Sequence, residues 1–250
     1  MNTLDITRSY INETAQKQGF QRDTLEKVVR LYYLLKDMSE IPLFRENLAL
    51  KGGTAINLAY FSLPRLSVDI DMDFTRSGKM EELLPYRREI KDTLFYLLQS
   101  QGYTIGKLGK ELHTLDQWTF NYQSIAGNND HIKIELNYGI RKHILPIVDK
   151  DIYLNIVSDA GIKIPTLHPC ELFATKINAL IERAAVRDLF DVYSLSRSNL
   201  ISTQEEKEML KKSIIFYQTV GVEGTAKKEI DIAKIKDIQP SRIKSQLIPL

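Results

Sequence analysis

Cysteine, tryptophan and histidine are scarce in this chain, and no long stretch of it is apolar. The one cysteine in 250 residues, Cys170, excludes a disulfide framework and a thiolate-rich zinc site. The four histidines, His113, His131, His143 and His168, stand at no spacing that makes a ligand set or a catalytic pair. An excess of one charge is missing too: 34 Lys+Arg oppose 32 Asp+Glu for a net +2. A nucleic-acid contact would have to come from a local patch. No uninterrupted run of about 18 apolar residues indicates a membrane span. The polar opening MNTLDITRSYINETAQKQGF lacks the apolar core of a signal peptide. Neither tandem repeats nor low-complexity segments occur. These absences predict a soluble, cytoplasmic protein. What remains is 43% hydrophobic and 26% charged, ordinary for a globular chain and enough for one large domain or two modest ones.

The first forty residues read as two helices. One runs from Thr7 to Gln18; the other, Thr24 to Met38, sets Leu25, Val28, Val29, Tyr32, Leu34 and Leu35 at helical spacing. Gly52-Gly53-Thr54 opens an apolar run, Ala55 to Phe61, that suits a short helix. Val68 to Phe74 is the most regular alternation in the chain. As a strand it puts Val68, Ile70, Met72 and Phe74 on one face and Asp69, Asp71 and Asp73 on the other. A helix is expected from Lys79 to Gln101. Gln117 to Gln123 and His131 to Asn137 alternate around a Gly-Asn-Asn-Asp turn at 127–130, which is a hairpin pattern. Further short strands are expected at Tyr153 to Val157 and Ile162 to Ile164. From Pro169, which suits a first helical position, the texture turns helical. Helices are expected from Pro169 to Glu182, Arg187 to Ser196 and Gln204 to Gln218. A basic helix around Ala226 to Asp237 follows a break at Gly221 to Gly224. The fold class is α+β: a mixed sheet with flanking helices over residues 1–165, then a helical domain over residues 166–250.

Asp69 and Asp71, at i and i+2 on one strand face, are close enough to share divalent ions. Oxygen ligands without nearby His or Cys select Mg²⁺ or Mn²⁺ over zinc. The plain alternative is an acidic, solvent-facing strand. If strand 131–137 neighbours strand 68–74, Glu135 supplies a third carboxylate and Lys133 stands beside it. Three crowded acids repel strongly unless a cation neutralises them. Gly52 and Gly53 let backbone N–H groups approach an anion closely, and Thr54 adds a hydroxyl. Lys176 borders the apolar face of its helix and could reach a phosphate, or simply lay its stem on the core. Asp188 and Asp191 open the next helix, where acids also favour the helix dipole.

Together these pieces resemble one family. Lys51-Gly52-Gly53-Thr54, followed by Arg65-Leu66-Ser67-Val68-Asp69-Ile70-Asp71, is similar to the first motif of the AbiEii/AbiGii toxin nucleotidyltransferases, within the DNA polymerase β-like nucleotidyltransferase superfamily. Lys133-Ile134-Glu135 resembles the second motif, Lys176-Ile177-Asn178-Ala179 the third, and Arg187-Asp188-Leu189-Phe190-Asp191 the fourth. The third departs mildly, with isoleucine where leucine is frequent. The matched stretch covers about Leu50 to Leu195.

The resemblance implies a nucleotidyltransferase fold and an NTP substrate. Asp69, Asp71 and Glu135 would hold two Mg²⁺ ions. Gly52, Gly53 and Thr54 would cradle the triphosphate with Ser67 as a further ligand, and Lys176 would offset charge on departing pyrophosphate. Lys133 would orient Glu135 or reach the phosphates, and Asp188 and Asp191 would shape the nucleotide or acceptor site. It also implies a toxin with a cognate antitoxin and an RNA acceptor, tRNA foremost. Six cations stand against three acids from Ala226 to Leu250, a balance suited to a phosphate backbone and equally to a solvated helix face. The competing functions are an aminoglycoside-type small-molecule nucleotidyltransferase, a non-catalytic nucleotide or RNA binder, and a metal-dependent nuclease. The last leaves the Gly-Gly-Thr turn unexplained.

Overall fold

The computed structural model describes residues 7–61, 65–106, 109–140, 142–157, 160–221 and 232–247. The chain divides into two compact units. One is formed by Met1–His143 with Ile147–Thr166, the other by Ile144–Pro146 with Leu167–Leu250.

The first unit begins with α1 (Arg8–Gln18), α2 (Arg22–Glu40) and α3 (Pro42–Asn47). Thr7 caps α1, its hydroxyl accepting from Tyr10 N at 3.3 Å, and Gly19 closes it in the left-handed region at φ 76°. Helix α2 buries Leu25, Val28, Val29, Tyr32 and Leu35 at the expected spacing. Strand β1 (Leu48–Lys51) leads into α4 (Gly52–Ala55), which continues as a π-helical turn, Ile56–Tyr60. The expected short helix therefore starts at Gly52 itself. Then come β2 (Asp69–Phe74), α5 (Met80–Ser100), the short β3 (Thr104–Ile105) and β4 (Lys110–Glu111), and the hairpin of β5 (Leu115–Gln123) and β6 (Asn129–Asn137). β7 (Val148–Ile152) and β8 (Ile162–Thr166) complete it.

Among the described residues these strands form a mixed sheet ordered β3-β5-β6-β2-β1-β8-β7, with β4 also on β5. β2 and β6 run parallel; β1 and β2, and β5 and β6, run antiparallel. One face carries Ile70, Met72, Trp118, Phe120, Ile132 and Ile134, all buried. Phe95 of α5 meets Trp118 and Phe120 edge-on at ring separations of 5.3 and 5.2 Å. The buried carboxylate of Glu26 on α2 accepts from Ile125 N in the hairpin turn. The expected strand at Tyr153 to Val157 is absent: Tyr153 and Leu154 are irregular and a turn follows. The pairing strand lies earlier, at β7, whose sequence Val-Asp-Lys-Asp-Ile is more polar because it is an edge strand.

The second unit contains α6 (Pro169–Arg183), α7 (Val186–Arg197), α8 (Gln204–Gly221), α9 (Ala233–Lys236) and α10 (Pro240–Leu247). Pro169 starts α6 and His168 Nδ1 accepts from Cys170 N. Ala184 ends that helix at φ 47°, a left-handed position held without glycine. Asn178 donates to Ile214 O on α8 at 3.1 Å, and Tyr217 of α8 donates to the buried Glu171 at 2.5 Å. Glu171 also accepts from Leu145 N, which ties the 144–146 segment to this unit. The part of the expected basic helix at 226–231 lies outside the described residues; α9 and α10 follow it.

Candidate active site

Strand register assembles the polar face of the sheet. In the parallel pairing of β2 with β6, Asp69 stands opposite Lys133 and Asp71 opposite Glu135. On the other flank of β2, Lys51 of β1 stands opposite Asp71. Side chains two residues apart share a face, so Asp69, Asp71, Asp73, Lys133 and Glu135 project together. The adjacency of β2 and β6, on which the third carboxylate depended, is therefore what the sheet provides.

Burial and like charges act together on Asp71. Desolvation, then the neighbouring Glu135 and Asp69 carboxylates, push it up to about 6. Two ammonium groups temper this crowding. Lys133 Nζ lies 3.0 Å from Glu135 Oε1 and 3.6 Å from Asp69 Oδ2. Burial pulls the Lys133 ammonium down, but Glu135, Asp69 and Asp71 together outweigh it and leave it above its ordinary value. Lys51 Nζ lies 2.5 Å from Asp73 Oδ1.

The Gly-Gly-Thr segment is built against these acids. Gly52 has φ +70°, and a Cβ there would run into the Asp71 carboxylate. A Cβ on Gly53 would lie 2.8 Å from Ser67 Oγ and 2.9 Å from Arg65 Nη2. At Gly52 the positive φ and the close carboxylate together call for glycine. Thr54 is fully buried, and its hydroxyl donates to Asp69 O and pairs with Ser67 Oγ. It ties the loop to the start of β2 and does not point outward as a donor.

Lys176, Asp188 and Asp191 come together within the helical unit. Lys176 Nζ on α6 is 2.9 Å from Asp188 Oδ1 and 3.3 Å from Asp191 Oδ2 on α7. Arg183 Nε adds a 2.6 Å bond to Asp188 Oδ2. Burial pushes the Asp188 carboxyl up, yet Arg183 and Lys176 outweigh it and hold it below the usual range. Both aspartates are buried, so this cluster joins α6 to α7 as well as presenting an ammonium.

Sequence reasoning passed over Lys51, Asp73 and Arg65 as site residues. Their signal was present: Lys51 immediately precedes the Gly-Gly-Thr run, Arg65 stands two residues before Ser67 of the Ser-x-Asp-x-Asp run, and Asp73 continues the Asp69–Asp71 face. Arg65 is buried, with Nη1 donating to Leu66 O.

The donor set at Asp69, Asp71 and Glu135 fits a hard divalent cation: every candidate ligand is a carboxylate, and the crowding at Asp71 is what a cation relieves. As they stand, no three His, Cys, Asp or Glu side chains among the described residues close on a common metal position. The Lys133 ammonium lies beside two of the acids instead.

Compared by fold, the chain is similar to MenT4, a nucleotidyltransferase toxin from Mycobacterium tuberculosis H37Rv. The TM-score is 0.70 at 16% sequence identity, covering 95% of this chain and 82% of that one. Compared by sequence with curated proteins, it matches none. No helix among the described residues is long and apolar enough to cross a membrane. The profile of the nucleotidyl transferase AbiEii toxin of type IV toxin–antitoxin systems matches residues 33–247, and the chain thus belongs to the AbiEii nucleotidyltransferase toxin family.

Proposed function

We propose that this chain transfers a nucleoside monophosphate from an NTP to an RNA hydroxyl, with tRNA the favoured acceptor, and that a divalent cation, Mg²⁺ or Mn²⁺, is required. One observation carries the reading: Asp71 and Glu135 face each other in parallel register, with Asp69 alongside and the Gly52 backbone packed on the Asp71 carboxylate. Asp69, Asp71 and Glu135 would hold the cations, which stabilise the entering and leaving oxygens of an in-line displacement.

This chain's own groups do the rest. The Gly52-Gly53 backbone and Ser67 receive the phosphates, and Thr54 keeps that loop fixed to β2. The acceptor hydroxyl oxygen bonds to the α-phosphorus, the bond to the β-phosphate oxygen breaks, and pyrophosphate leaves. Glu135 takes the hydroxyl proton. Lys176 would offset charge on the departing pyrophosphate, as the resemblance of its motif to the family's third implies, and Asp188 and Asp191 pair with its ammonium. Positioning and electrostatics supply the catalysis. Membership of a type IV toxin family supports a cognate antitoxin as a partner, and a cytoplasmic location would give it access to tRNA.

Purified protein, Mg²⁺, each α-labelled NTP and total bacterial RNA form the test, with Asp71→Asn as control. Label entering RNA with wild type alone supports the proposal. Label entering only an aminoglycoside in a parallel acceptor screen would replace RNA with a small-molecule acceptor. Nucleotide binding without transfer to any acceptor would make the chain a binding module.

A further inference from the structure

The two lysines beside Asp71 are held differently. Lys51 pairs with Asp73, which lies outside the proposed ligand set. Lys133 has Asp69 and Glu135 as its ion-pair partners among the described residues, and both are proposed metal ligands. The register partner of Lys133 on β5 is the neutral Thr119.

Mg²⁺ takes oxygens at about 2.1 Å in a near-octahedral shell. An ammonium paired with two of the same carboxylates competes with such an ion for their oxygens. A monovalent and a divalent cation a few ångströms apart also repel. The four-carbon stem of Lys133 lets the ammonium leave without disturbing β6. Lys51 has no such conflict and can stay on Asp73.

Resting on the metal-site reading above, we propose that Lys133 is the built-in counter-ion of the acidic centre and is exchanged for the divalent cation. The metal-free centre is neutralised by its own lysine. Arrival of the cation releases the ammonium, and the NTP triphosphate then provides an anion for it. Cation and nucleotide binding are thereby coupled through one side chain, each strengthening the other by the same factor. Lys133 is a positioning residue in this account, acting through the carboxylates it pairs with.

The test is Mn²⁺ binding to the full-length protein, read from the loss of the free-ion paramagnetic resonance signal, with no nucleotide present. Lys133→Gln is expected to bind Mn²⁺ about tenfold more tightly than wild type. Unchanged or weaker Mn²⁺ binding would overturn the exchange and leave Lys133 as a group that orients Glu135. Asp71→Asn separates the two levels. Its expected loss of Mn²⁺ binding, beside a Lys133→Gln variant that binds no tighter, sinks the exchange alone. Wild-type-like binding by Asp71→Asn sinks the metal site and the exchange together. A second readout uses the unmutated protein: Mn²⁺ should raise acylation of Lys133, measured by mass spectrometry, and unchanged labelling contradicts its release.

Discussion

Asp71 and Glu135 stand directly across from each other on parallel strands, β2 and β6, with burial and their mutual repulsion pushing Asp71 up to about 6. A fold that crowds acids in this way gives up stability at that point, as functional centres commonly do.

Neutralising Asp71 therefore stabilises the metal-free protein. A carboxyl raised from 3.8 to about 6 binds more protons folded than unfolded between those values, so its contribution to stability falls as pH rises through that window. Asp71→Asn is expected to melt higher than wild type at pH 7, by about 1–3 kcal/mol of stability. The advantage should vanish near pH 4. A variant less stable than wild type at pH 7 would contradict the crowding.

Gly52→Ala places a Cβ against the Asp71 carboxylate at a φ of +70°. It should cost about 1–3 kcal/mol, read by denaturant unfolding, and abolish transfer. Full stability would mean that the loop does not pack on Asp71.

The Lys176 cluster has a structural load separable from chemistry. Removing its ammonium takes a cation away from the buried Asp188 and Asp191, so Lys176→Met should destabilise by about 2–4 kcal/mol. Adding Asp191→Asn should recover part of that. The lowered Asp188 carboxyl favours the folded state above the ordinary aspartate range. That contribution should fade as pH falls below about 4, seen as acid unfolding that Asp188→Asn makes less steep.

Much of this site was legible in the sequence because period-2 alternation fixes faces. Val68 to Phe74 and His131 to Asn137 each separate acids from aliphatics, and the hairpin needs only its turn. The neighbouring of β2 with β6 was a condition there, since no local signal says which strands pair. β1 is four residues, and β3 and β4 two each, too short to show a period. β7 escaped because an edge strand alternates charges with few apolar residues. The ion pair of Lys51 with Asp73 depends on register across two strands, which spacing along one strand does not reveal.

Lys234, Lys236, Arg242 and Lys244 are exposed on α9 and α10. If they track RNA phosphates, charge reversal at Arg242 and Lys244 should weaken RNA binding at low salt. It should also make the salt dependence shallower, by about one unit of slope for each phosphate no longer neutralised. An unchanged slope would make these helices merely solvated.

The most direct measurement is transfer of α-labelled against γ-labelled NTP into RNA by wild type and Glu135→Gln. The account predicts α-label in RNA, none from the γ-position, and a fall of about 10³-fold in the variant with a melting temperature no lower than wild type. RNA labelled from the γ-position, or Glu135→Gln as active as wild type, would contradict it.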